Sequence, residues 1–239
     1  MVRRELEHYP AMATFAGDAE RLRDRLAEVE TEHATLRAEL AAFQADYLRI
    51  VGVVQVQAQE LEARVLALLA ARSGLLDDRA AAAAAEQRFR ETTTALRAVP
   101  APAVPPTDDL KTLFRDAAKR MHPDLVADAA ARTHAEAFMK RLNQAYAAGD
   151  ADAIGHLVRQ WETSPYAAAR PGGGAAPALA AAIAHAEAAL AQARASDLAR
   201  LMEQAFAASA AGRDLLAELR GDAEAALARA RARLAQLDE

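Results

Sequence analysis

From Phe15 to Leu75 the apolar residues of this chain recur at alternating spacings of four and three. Leu22, Leu26, Val29, Leu36, Leu40, Phe43, Tyr47, Ile50, Val54, Leu61 and Leu68 all fit one heptad frame, with His33, Gln57 and Arg64 as its polar interruptions. A seam sustained over that many heptads, with charges outside it, is the pattern of a coiled coil. At 1.5 Å per residue, one helix over 14–75 is about 90 Å long, more than a single globular domain needs. Composition points the same way. Hydrophobic residues make up 53% of the chain, but alanine supplies much of that and aromatics only 5%. So few large side chains suit long helices packed through small residues, and an all-α fold is expected.

Breaks in the pattern divide the rest. An alanine-rich helix over 77–98 has Phe89 and Leu96 as its main anchors. "VPAPAVPP" ends it and makes 99–107 a semi-rigid linker, since proline cannot continue a helix and biases its predecessor toward extended geometry. A compact three-helix unit is expected over 108–163. Asp108 and Asp109 suit the start of its first helix, whose apolar stripe is Leu110, Leu113, Phe114, Ala117 and Met121. Its second helix, about 132–148, carries Phe138, Met139, Leu142, Ala145 and Tyr146 and stops at Gly149. The third starts near Asp150 or Asp152 and buries Ile154, Leu157, Val158 and Trp161. A Gly/Pro linker, 164–177, leads to a C-terminal segment, 178–239, that is helical again, with Gly212 and Gly221 as expected breaks. Antiparallel pairing of the N- and C-terminal rods within one chain is one arrangement these segments allow. Homodimerisation through the N-terminal seam is the other.

Several functional classes are excluded or disfavoured. A net charge of −5 argues against a general nucleic-acid binder. No cysteine is present, so no disulfide framework, thiolate nucleophile or thiolate metal site is expected. The N-terminus lacks the apolar run of a signal peptide, and "IVGVVQV" is far too short to cross a membrane. A cytoplasmic location is expected by elimination. His122, His134 and His156 have the spacing of no metal-ligand motif, and "PGGGAAP" lacks the lysine and hydroxyl residue of a phosphate loop. No nucleophile–base arrangement is visible, so no catalytic residue, cofactor or metal is expected.

One stretch stands apart. "AAKRMHPDLVADAA", 117–130, sets His122, Pro123 and Asp124 between a basic amphipathic helix and a second helix containing "RLNQAY". Pro123 forces the first helix to end near Met121. Lys111, Arg115 and Lys119 lie four apart on one face, and the chain's only three lysines, Lys111, Lys119 and Lys140, all fall inside this unit.

In this order the segment resembles the J domain of the DnaJ family of co-chaperones. "LKTLFRDAAKRMHPD" is similar to that family's second helix and signature turn, and "FMKRLNQAY" to its third helix; together they span 110–146. The resemblance implies docking on a DnaK-type ATPase of the seventy-kilodalton heat-shock class and stimulation of its ATP hydrolysis. Carried over residue by residue, it makes His122, Pro123 and Asp124 the docking turn, and Lys111, Arg115, Lys119 and Arg120 the basic face. The chemistry suits that role: a proline-stiffened loop loses little freedom on docking, a carboxylate can take a partner arginine, and a cationic face favours an acidic partner.

The chain also departs from the family. A proline-rich linker stands where the family's first helix, with its paired tyrosines, should be, and Leu125 replaces the basic residue often found after the turn. The apolar groove left open needs a cover, with Trp161 and its helix as first candidate and the Phe89 helix second. No glycine-phenylalanine-rich segment or zinc centre is present, so the long helices are expected to localise the protein or select a partner. The alternative reading is a coiled-coil scaffold whose J-like unit no longer stimulates anything.

Overall fold

The structure, a computed structural model, describes residues 9–99, 106–126, 128–167 and 175–238. The core of both predicted linkers, 100–105 and 168–174, lies outside them. Among the described residues the protein is all-α, with no strand. The described residues divide into two compact units, one drawn from Met1–Leu40 and Ala103–Ala199, the other from Ala41–Pro102 and Arg200–Glu239.

The first unit holds the greater part of helix α1 (Tyr9–Tyr47), then α4 (Asp108–Met121), α5 (Ala129–Ala147), α6 (Ala151–Glu162) and α7 (Ala175–Arg194). Helices α4, α5 and α6 enclose one core in which Phe114, Met121, Leu142, Tyr146 and Ile154 are almost wholly buried. The rings of Phe114 and Tyr146 lie 4.6 Å apart, and Trp161 meets Phe138 edge-on at 5.5 Å. The expected stripe holds except at Leu113, which is exposed. Thr107, not Asp108 or Asp109, caps α4: its hydroxyl accepts the Leu110 amide at 3.2 Å. The aspartates occupy the first turn, where their charge favours the positive end of the helix dipole. Asp128 and Asp150 cap α5 and α6, and Gly149, at φ +71°, makes the left-handed turn between them.

A second layer of this unit joins α1 to α7 through Leu26 and Val29 against Leu179, Ala182, Ile183, Ala186 and Leu190. Two ion pairs fix the direction: Arg25 meets Glu187 at 2.8 Å, and Arg194 reaches Glu32, each pair 162 residues apart. A constant offset means that the helices run parallel, against the antiparallel expectation. Alanines on α7 allow the close approach.

In the second unit a five-residue π turn, Leu48–Gly52, leads from the end of α1 into α2 (Val53–Ser73). Helix α3 (Leu76–Arg97) folds back on α2 through Gly74, with Ser73 bonded to Asp78 and Glu62 3.9 Å from Arg88. Helices α8 (Asp197–Ala210) and α9 (Leu215–Asp238) follow, and α9 packs on α2. Arg72 donates to the Leu237 carbonyl near their common C-terminal ends, so this pair is parallel too.

The single heptad frame does not survive intact. Leu26, Val29 and Leu40 are buried as it requires, but Ile50, Val54, Leu61 and Leu68 are only half-buried, while Leu48, Val51 and Val65 are buried instead. A π turn inserts an extra residue into the helical rotation and shifts the inward face. Gly212, at φ +74°, ends α8 as expected; Gly221 lies inside α9, and the other break falls at Ala195–Ser196, where the Ser196 hydroxyl caps α8. Residues 175–177, read as linker, already belong to α7.

Candidate functional site

The turn after α4 is built as its sequence demands. His122 adopts extended geometry (φ −65°, ψ 132°) before Pro123, and Pro123–Leu125 forms one 3-10 turn closed by the Val126 amide on the Pro123 carbonyl at 3.3 Å. Val126 is buried and anchors the far side.

His122 points inward. Only 7% of it is exposed, and its Nδ1 accepts the Asp124 amide at 3.2 Å. That bond leaves the proton on Nε2, which lies 3.6 Å from Glu30 of α1, an electrostatic contact longer than a hydrogen bond. The carboxylate of Asp124 retains 39% exposure, and Pro123 is half-buried. Helix α7 lies alongside the turn. Of the three motif residues, Asp124 thus offers the reachable charge.

The basic residues split. Helices α1 and α4 run antiparallel. Lys119 is held between two α1 carboxylates, Asp24 at 2.5 Å and Glu20 at 2.6 Å. Asp24 and then Glu20 raise the pKa of Lys119, and the Lys119 contact lowers that of Glu20. Arg115 is exposed and shares a hollow with Asp24 and Glu28. Lys111 pairs within its own helix with Asp108 at 3.2 Å, and lines an open groove of about 440 Å³ together with Thr35, Glu39 and Arg115. Arg120 lies off this face and braces α4 to α6 through Glu162 at 2.7 Å.

The apolar cover has two sources. Trp161 and α6 close the α4–α5 core as expected. The other source was not foreseen: α1 packs Ala34 against that core, and Thr35 meets the Tyr146 hydroxyl at 2.6 Å. Burial raises the Tyr146 pKa, against the lowering effect of this bond. Phe89 belongs to α3 in the second unit.

Glu20, Asp24, Glu30 and Thr35 are the residues that sequence reasoning missed, because the heptad frame assigned such charges to solvated faces. A signal was present: Glu20, Asp24 and Glu28 recur every four residues, the same spacing as Lys111, Arg115 and Lys119 and of opposite sign. His134 stacks on Trp161 and touches Phe138 and Tyr166, and His156 is exposed on α6. The described residues contain no group of three or more histidines and carboxylates placed to hold a metal, and no helix long and apolar enough to cross a membrane.

The chain matches no protein-family model, and no curated protein or solved structure matches it significantly.

Proposed function

We propose that this protein is a J-domain-like co-chaperone that docks on a DnaK-type ATPase through Asp124 and the cationic face of α4, and catalyses no reaction of its own. One observation carries the reading. The His-Pro-Asp turn joins two helices packed on a shared core, with its histidine folded inward as a brace and its aspartate left reachable at the end of the helix that carries Arg115 and Lys119. A preformed turn loses little freedom on docking, and a reachable carboxylate that follows a cationic helix suits a partner surface of mixed charge that includes an arginine. The effect on the partner is a coupling one, favouring the conformation that hydrolyses ATP.

The test is single-turnover ATP hydrolysis by a DnaK-type ATPase with the purified full chain, repeated with Asp124→Asn and His122→Gln. Stimulation that both changes abolish is the expected result. No stimulation, or stimulation indifferent to both, leaves the second reading, a scaffold whose J-like unit serves only as an interaction module. The engagement of Lys119 by Glu20 and Asp24 is the observation that favours that second reading.

A further inference from the structure

Two of the cations that the docking reading needs, Lys119 and Arg115, are ones that α1 already meets with carboxylates. Lys119 has two, Glu20 at 2.6 Å and Asp24 at 2.5 Å, and Arg115 shares its hollow with Asp24 and Glu28. These acids stand on a helix that is fixed in place by other means. Leu26 and Val29 of α1 are buried against α7, and Thr35 is bonded to Tyr146. The acidic edge is therefore presented to α4 whether or not the ion pairs form. Glu20 and Asp24 are each more than half exposed, so either side chain can swing off Lys119 without any movement of the helix.

We infer that α1 is a built-in competitor for the docking face: Glu20 and Asp24 occupy Lys119 in place of an acidic partner surface and lower the chain's affinity for that partner. The inference rests on the co-chaperone reading and assigns its regulation. The partner must displace two carboxylates to use Lys119, while Asp124, on the accessible side of the turn, needs no such exchange. Any event that neutralises or removes the acidic edge of α1 raises affinity.

The chain's three lysines permit a direct test. Acetylation with an N-hydroxysuccinimide ester, read site by site by mass spectrometry, compares Lys119 with the exposed Lys140. In the native chain Lys119 is expected to react about fivefold more slowly than Lys140, as two surface ion pairs warrant. In Glu20→Gln/Asp24→Asn the two rates converge, and the concentration giving half-maximal ATPase stimulation falls by about fivefold. Equal rates in the native chain overturn the competitor whatever the ATPase does. Protection of Lys119 that the double change relieves, with no shift in the stimulation curve, also overturns it while leaving the co-chaperone reading intact. Protection with no stimulation by either protein overturns the co-chaperone reading and the regulation built on it together, leaving the ion pairs as ties between helices.

Discussion

Within the turn, the imidazole of His122 accepts the Asp124 amide at 3.2 Å and is nearly shut off from water, while the Asp124 carboxylate keeps its access. The two residues should separate under mutation. His122→Ala removes a buried imidazole and strands the half-buried amide that bonds to it, and is expected to lower the unfolding free energy by about 1–3 kcal/mol. Asp124→Asn is expected to stay within about 0.5 kcal/mol of the native chain, so that its loss of ATPase stimulation cannot be put down to unfolding. Thermal denaturation of both variants checks the contrast. The Lys119 cluster carries a pH signature. Glu20 is lowered, so its contribution to stability is complete above the ordinary glutamate pKa of about 4.3 and is lost as pH falls through the lowered folded value. Lys119 is raised, so its contribution is complete below its ordinary value and is lost as pH rises through the raised folded value. Lys119→Met should therefore flatten the loss of stability on acidification below about pH 5, read from denaturation midpoints in a pH series.

At the scale of elements, the helix ends divide by mechanism. Gly149 and Gly212 hold left-handed turns, which a side chain strains, whereas Gly221 sits inside α9 with open space where a Cβ would stand. Gly212→Ala is expected to destabilise by about 1 kcal/mol and Gly221→Ala to stabilise by about 0.5–1 kcal/mol, opposite signs from one substitution type. Chemical denaturation of the two variants decides it. The sequence pattern could not separate these glycines, because a glycine in an alanine-rich run looks the same whether the helix stops there or passes through. Where large residues keep helical spacing, as from Phe138 to Tyr146 and from Ile154 to Trp161, the pattern located the buried faces, since only one face can be wholly apolar. Thr107 was hidden behind two aspartates of equal capping propensity. The basic face of α4 was legible in residues 111–119; its acidic counterpart on α1 was not, because intrahelical spacing says nothing about which distant helix will come to lie opposite.

For the molecule as a whole, the N-terminal seam finds partners within its own chain: Leu26 and Val29 against α7 in the first unit, α2 against α9 in the second. Static light scattering at micromolar concentration is accordingly expected to return the single-chain mass of 25.5 kDa. A mass twice that would mean that a second copy, through the homodimeric pairing the seam also permits, takes the place of the C-terminal helices. The all-α class was legible in the sustained heptad spacing and in a composition rich in alanine and poor in aromatic residues. The direction of pairing was not, since apolar stripes of small residues fit parallel and antiparallel neighbours alike, and it takes polar contacts such as Arg25–Glu187, Arg194–Glu32 and Arg72–Leu237 to distinguish them. The sole tryptophan, Trp161, has its own consequence: it lies in the first unit's core, beside His134 and Phe138. Indole emission is thus an optical label for that unit alone, while circular dichroism sums both. Divergence of the two signals during denaturation would time the melting of the turn-bearing core separately from the rest of the chain, with no dye attached.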